Sequence, residues 1–513
     1  MKIKLILSSL IIATGTGISQ TEIPNGVSIS APYKIYESYY RAQFVVKNTM
    51  YSLKSDYKKT LLQIHKGENF DLQSVKKIES INGPLVPTPL IFGDKIGFLS
   101  KVSSKKTHAI EYNEFDASSN SFLPPVKLSE SESNSDIYIS NEKNYFAEVT
   151  DNLKVSYGLL LGNRKFTHEK IQMSFSVYDS NIEKKWSNSI TFPFDDSQYE
   201  LNSIKVTNKG EIFLFCTIYQ NEKREFYSKT GEKTADQVCY CITKDGAAPL
   251  ERAFLSNFNS ATSFYFVSDK DGNDYMAGLY QDKEDGSINY QGFFLSKMVN
   301  GEFQEAVGYP FDKEVVDHYL KPGKSGTIQP YSGTGRLSIK NVQFGDDKSV
   351  TVFFNQMYSY IRTTKDGSYP VYINQNIFVS HANLNGTGAW TIKLPKNQQS
   401  QYEKSELGYF ENYTPMYSYL LYVDHKDNFS LPTDETPRTH QCRAGGFMTV
   451  CRIDNHSGEI DKKQLFDVSK FYKHGIYLLR FDSFLNIDNK VVFEAYTKMK
   501  KFITITIDYE KIF

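Results

Sequence analysis

Cys442 and Cys451 flank the turn Ala444-Gly445-Gly446 and could meet across one hairpin as a disulfide. Three further cysteines, Cys216, Cys239 and Cys241, lie in the apolar segments FLFCTIY and QVCYCIT. Five cysteines form one or two bridges at most, so an odd thiol remains. Buried reduced cysteines acting as small hydrophobes account for the same residues. His440, Cys442, Cys451 and His456 read together as H-x-C-x8-C-x4-H. Zinc patterns place paired ligands two to four residues apart, so this spacing points to no metal, and no cofactor is expected.

SDKDGND at 268–274 gathers Asp269, Asp271, Asn273 and Asp274, the residue types that bind calcium. The helix-loop-helix pattern needs Gly and Glu at its sixth and twelfth positions, where this chain has Asp274 and Tyr280. The segment reads as a polar turn, and Asp424, Asp427 and Asn428 in DHKDN read the same way. PGKSG at 322–326 lacks the leading Gly of a phosphate loop, because position 318 is His318.

Glycoside cleavage needs two carboxylates, one as acid and one as base or nucleophile. Asp195-Asp196, Glu314 with Asp317, and Asp434-Glu435 are the loop candidates. Neighbours on a strand face opposite ways, so a working pair would come from separate parts of the chain. Tyr402, Tyr409, Phe410 and Tyr413 could stack on sugars or anchor a protein partner. Glycosylation-like triplets start at Asn385, Asn412, Asn428 and Asn455 and occur at about chance frequency in so Asn-rich a chain.

These residues must be positioned by a recurring element: apolar strand, tight polar turn, apolar strand. It occurs around Asn48, Asp94, Asn141, Asn208, Asp271, Asp347, Asp427 and Asn489. Asn, Asp and Gly dominate the turns because they tolerate positive φ. The turns are separated by 46, 47, 67, 63, 76, 80 and 62 residues. A four-stranded propeller blade takes about 40–50 residues, so the wider intervals imply inserted loops. Further strands follow the hairpins, such as TLLQIH at 60–65, IQMSFSVYD at 171–179 and GFMTVCRID at 446–454. YKIYESYY at 33–40 and FITITIDY at 502–509 are expected to complete one blade together and close a ring.

Insertions fall at 301–335, with a short helix expected over 311–320, at 396–415 and at 430–446. Loops on a rigid frame usually carry function, so the site is expected there.

Phe and Tyr number 36 each, which suits half-buried pleated surfaces. Lysine plus arginine and aspartate plus glutamate are balanced at 59 each, which argues against nucleic acid and anionic membrane surfaces as partners. Residues 1–19, with MKIK, an apolar stretch and Gly17-Ile18-Ser19, have the layout of a secretory signal peptide. The expected product is a single exported domain over 20–513, periplasmic or extracellular, monomeric and without a membrane span.

On its hairpin periodicity over 33–513 the chain resembles the β-propeller superfold, specifically large exported bacterial proteins with degenerate blades. The resemblance implies an all-β ring, with eight blades favoured over seven and short helices in inserted loops. It transfers no activity. The sialidase turn S-x-D-x-G-x-T-W is absent, and Trp186 and Trp390 are the only tryptophans. The function expected is non-catalytic binding or scaffolding toward a protein or glycan. The alternative is a polysaccharide-acting enzyme with acidic residues converging at the ring axis.

Overall fold

A computed structural model describes residues 23–34, 40–55, 60–78, 85–92, 95–103, 107–119, 121–132, 137–141, 144–151, 168–222, 234–249, 258, 260–281, 290–299, 302–312, 314–315, 337–365, 367–471 and 475–513. Residues 1–22 and the Gly-rich run 322–335 lie outside them.

The described strands form eight sheets of four to six strands that follow one another along the chain, antiparallel except for one parallel pair in the sixth, and the last is completed by an N-terminal strand. Sheet 1 begins at Tyr40–Val46, sheet 2 at Leu85–Phe92, sheet 3 at Ile137–Asn141 and sheet 4 at Tyr199–Val206. Sheets 5 to 8 begin at Ser260–Ser268, Leu337–Phe344, Phe410–Tyr413 and Ile476–Leu479. This is an all-β fold of four-stranded units with few helices, as a propeller requires.

The turns work as their residues dictate. Lys47 and Asn48 both take positive φ, 47° and 57°, the two-residue hairpin geometry whose twist matches the flanking strands. Second strands of the sheets are buried on both faces. Ile212–Tyr219, for example, sends Leu214 and Cys216 toward sheet 3 and Phe213 and Phe215 toward sheet 5. Such strands read as unbroken apolar runs rather than alternating ones.

Each sheet shares an apolar cluster with the next. Phe44 and Leu53 meet Phe98 and Phe115 across sheets 1 and 2. Phe353 and Ile377 meet Leu420 and Tyr422 across sheets 6 and 7. Sheets 7 and 8 share the largest cluster, including Leu421, Val450, Phe493 and Ile505. The last sheet also touches the first, through Met50, Phe70 and Val492.

Three expectations are corrected. The N-terminal partner of the last strand is Val27–Ile29, whose Val27 pairs with Ile507, rather than 33–40. Tyr33 adds an isolated bridge to Phe502, while Tyr40 already starts sheet 1. Residues 35–39 of that expectation lie outside the described residues, and pattern alone does not assign pairing partners.

The seventh hairpin is not centred on Asp427. Strand Tyr417–Asp424 ends in a 3-10 turn, Lys426–Asn428, and the chain returns to the sheet only at Phe447. The side chain of buried Asn428 closes the loop: its Nδ2 donates to Arg438 O and its Oδ1 accepts from Arg438 N, both at 2.8 Å.

The last strand stops at Asp508, and Tyr509–Ile512 form a helical turn. Of the helix expected over 311–320, Glu314 and Val315 are helical, and 316–320 lie outside the described residues.

Candidate functional site

Sheet 6 carries an extension that strand periodicity alone did not reveal. Its second and third strands, Ser349–Thr364 and Gly367–Asn383, are 16 and 17 residues long and run past a bulge at Asn355/Met357. The second and third insertions are stitched onto this extension. Gln398–Ser400 pairs antiparallel with Tyr372–Asn374, and His440–Gln441 then lies parallel beside it. The expected loops are thus strands of a cap beside sheets 7 and 8.

Buried polar groups bolt the cap in place. Lys396 is fully buried, and its Nζ donates to Asn374 Oδ1 at 2.5 Å and Gln398 Oε1 at 2.9 Å. Gln398 Nε2 donates to Val423 O at 2.6 Å, tying the cap to sheet 7. Asp424 Oδ2 accepts from Asn428 Nδ2 at 3.0 Å, while its Oδ1 has no hydrogen-bond partner. Burial pushes the Lys396 amine down and the Asp424 carboxyl up, with the opposite charge of each partner resisting the shift.

Gly445 and Gly446 both sit at φ +99°. A Cβ on Gly446 would fall 2.7 Å from His440 Cε1 and 3.0 Å from Asp424 O, so glycine lets the imidazole pack flat on the backbone. Burial holds His440 near 4, with His425 and Lys396 adding in the same direction, so the ring is neutral at pH 7. Cys442 Sγ donates to Glu406 O at 3.6 Å, and burial pushes this thiol up to about 12.

Arg443 is the centre of the exposed face. Its Nε donates to buried Glu406 Oε1 at 2.9 Å, and its Nη2 reaches the same oxygen. The guanidinium carbon lies 4.0 Å from the Tyr402 ring centroid and 5.3 Å from that of Tyr477. These rings stay 51% and 40% exposed, so the cation is held in place while the aromatic faces remain available. Arg480 pairs with Glu403 at 2.5 Å, joining the first strand of sheet 8 to the cap.

Below this rim lies a small cavity of about 30 Å3, room for about one water, so a larger ligand would lie on the rim above it. Its floor is apolar, with Val423, Val468, Ile476, Leu479 and Phe481. Acid–base chemistry needs a group poised between protonation states near the working pH. Around this pocket His440 is neutral, Cys442 protonated and Glu406 occupied by Arg443 and by Ser400 Oγ at 3.1 Å. The arrangement is suited to contact rather than proton transfer.

A second pocket, about 490 Å3, opens at the outer edges of sheets 6 and 7. Asp312, Glu314, Thr391, Lys393 and Thr433 line it. Burial pushes the Lys393 amine down to about 7, with the charge of Asp434 opposing. The structure therefore brings Glu314 to the same pocket as the insertion carrying Asp434. Asp317 lies outside the described residues.

The remaining candidates serve turns and core. Asp269 accepts from the backbone nitrogens of Asp271 and Asn273 at 3.0 and 2.8 Å, closing its own turn. Asp195 Oδ1 accepts from Ser197 N at 2.8 Å, and Asp196 Oδ1 from His168 N at 2.9 Å. No group of three His, Cys, Asp or Glu side chains suited to a metal ion occurs among the described residues.

Cys442 and Cys451 are free thiols, and the bridge expected between them is not formed. Cys442 follows the cap strand, whereas Cys451 sits in the middle of Phe447–Asp454, opposite Leu420. Cys216 faces sheet 3, while Cys239 and Cys241 face sheet 5, so those three do not meet either.

Of the four insertion aromatics, Tyr402 alone is largely exposed; Tyr409 is buried and its hydroxyl donates to Phe354 O at 2.9 Å. Asn412, Asn428 and Asn455 are buried, and Asn385 is exposed in a turn. Arg443, Glu406, Tyr477 and Lys393 carried no signal in the sequence, since single polar residues in loops or on strands are ordinary.

No family model and no curated protein matches the sequence. Among solved structures, the chain is similar to the polysaccharide lyase Uly1 at 6% identity and TM-score 0.35, over 84% of this chain and 93% of that one. It is similar to the Penicillium chrysogenum alpha-L-arabinanase complexed with arabinobiose at 11% identity and TM-score 0.30, over 65% and 93%. Prolyl oligopeptidase B from Galerina marginata aligns at 8% identity and TM-score 0.37, over 94% of this chain and 55% of that one. Likeness at this level passes no activity or residue role to this chain.

Proposed function

We propose that this chain is an exported, non-catalytic binding protein: an eight-bladed β-propeller over residues 20–513 that engages a glycan on the rim of its capped pocket. The ring reading rests on the apolar cluster each sheet shares with the next and on the contact between the last sheet and the first. Export rests on the signal-like segment 1–19, and a monomer remains the expected state.

The observation that carries the binding function is the fixed Tyr402–Arg443–Tyr477 stack above the apolar pocket. Exposed tyrosine faces accept the C–H surface of a sugar ring, and the Arg443–Glu406 and Arg480–Glu403 pairs offer planar hydrogen-bonding groups beside them. Of the groups lining the pocket, His440 and Cys442 are held away from neutral titration, which favours retention over cleavage at this face.

One observation favours the alternative, a polysaccharide-acting enzyme. The outer pocket is lined by Asp312 and Glu314 together with Lys393, whose amine burial pushes down to about 7.

A glycan panel scored for both retention and cleavage separates the two. Binding predicts retention without cleavage, falling at least tenfold in Tyr402→Ala/Tyr477→Ala. Cleavage that survives this double change and disappears in Glu314→Gln would replace the binding reading with the enzymatic one. Retention of none of the panel would remove the glycan assignment.

A further inference from the structure

The contact between sheets 8 and 1 differs in kind from that between sheets 7 and 8. Among the described residues its apolar cluster holds three buried residues, Met50, Phe70 and Val492, with Val45, Leu485 and Ile487 packed against them, where sheets 7 and 8 share twenty-one buried ones. The rest is a buried polar network around Glu494. Lys54 Nζ and Tyr33 Oη both donate to Glu494 Oε1 at 2.7 Å, and Gln43 Nε2 donates to Oε2 at 2.6 Å. Ser52 Oγ lies 3.4 Å from Oε2. Lys54 and Glu494 side chains are 1% and 2% exposed.

This network also holds the N-terminal segment. Tyr33 belongs to it directly, and Ala31 N donates to Asp71 Oδ1 at 2.8 Å. Ser30 N donates to Thr504 O, and Thr504 N donates to Ser30 Oγ, both at 2.9 Å. With Val27–Ile29 on the edge of the last strand, residues 27–33 act as a strap across the seam.

His65 is fully buried in the same seam. Its Nδ1 lies 3.2 Å from Phe70 O, a bond only Nδ1–H can make, so Nε2 carries the lone pair. That Nε2 faces Glu494 Oε1 at 3.9 Å, too far for a hydrogen bond, and Nε2, Gln43 Oε1 and Gln63 Oε1 all lack a partner. Polar atoms left unsatisfied in a dry seam weaken it relative to an apolar one.

We propose that the seam between sheets 8 and 1 is a proton-operated latch, in which acid releases the N-terminal strap and parts these two sheets while the other seams hold. The proposal rests on the ring reading above. Burial holds His65 below its usual range against the opposing charge of Glu494, with Lys54 and Asp71 the other charged groups facing it. Closure therefore demands a neutral ring, and it weakens as pH falls below the ordinary histidine value of 6.5. Burial of Glu494 acts the other way, but the charges of Lys54 and His65 and the hydrogen bonds from Lys54 and Tyr33 together outweigh it and hold the carboxyl near 2. Closure thus loses this second contribution as pH falls from about 4.5 toward 2. Both changes favour opening in acid, and histidine acts first.

Hydrogen exchange on the intact protein, read peptide by peptide from pH 7.5 to 4.5 and corrected for intrinsic rates, tests the latch. Peptides covering 23–34 and 502–508 should lose protection at least tenfold below pH 6.5. Peptides covering 212–219 and 349–356 should keep theirs. His65→Phe, which retains an aromatic ring against Tyr33, should remove the response above pH 4.5. A strap that stays protected to pH 4.5, or one lost only together with the control peptides, overturns the latch and leaves the ring intact. A response unchanged in His65→Phe also overturns it. If that variant does not fold, a His65 ring titration near 6.5 in the folded wild type, read by NMR, would overturn it too. A strap unprotected at pH 7.5 overturns the ring reading itself.

Discussion

Lys54 and Glu494 stand 440 residues apart in the chain and 2.7 Å apart in space. They join the first sheet to the last, at a seam where hydrophobic area is small and buried charge takes its place. Two charges removed from water are costly, and their mutual attraction repays that cost only while both are present.

Lys54→Met should therefore destabilise the fold by about 3–5 kcal/mol, because it strands a buried carboxylate. Lys54→Met/Glu494→Leu should recover at least half of that loss, since the uncompensated charge is gone. Urea unfolding of both variants measures the difference. A single change costing under about 1 kcal/mol would show that water reaches the carboxylate.

Gly446→Ala should cost at least about 2 kcal/mol, from positive φ together with overlap against His440. Gly67→Ala is the matched control, because Gly67 has φ +86° and no atom within 4 Å of an added Cβ. It carries the backbone penalty alone. Equal losses in the two variants would mean that the His440 ring yields without cost.

His440 should give the cap an acid-sensitive contribution. Its value is about 4 when folded against 6.5 in the open chain, so the contribution is complete above 6.5 and disappears as pH falls toward 4. That difference of about 2.5 units is worth about 3 kcal/mol. In His440→Asn, stability measured by denaturant at pH 7 and pH 4.5 should depend less steeply on pH. An unchanged slope would place the sensitivity elsewhere.

The cysteines should behave as thiols that resist reaction. Intact mass should show no loss of two hydrogens, and alkylation at pH 8 without denaturant should spare Cys216, Cys442 and Cys451, whose values lie near 12. Rapid labelling of Cys442 in the native protein would mean that the cap opens readily.

Much of the architecture was legible because it is local. In the hairpin turns Asn48, Gly210 and Gly272 take positive φ and Asp269 makes the Asx bond, and third strands such as Thr60–Lys66 and Phe447–Asp454 followed from apolar runs. The insertions were legible as departures from a repeat. Their contents were not. Gln398–Ser400 is three residues long and pairs with a strand 26 positions earlier, and no three-residue pattern encodes that choice.

By itself the chain determined its element type and its order, since turn chemistry and burial on two faces act within a few residues of each residue concerned. Tertiary structure alone decided which elements meet. It chose Val27–Ile29 rather than 33–40 for the last strand, set Arg443 between Tyr402 and Tyr477, and buried Lys54 against Glu494. These outcomes depend on packing and desolvation summed over distant segments. The energy of a buried charge is set by what surrounds it in space, and sequence spacing carries no measure of that.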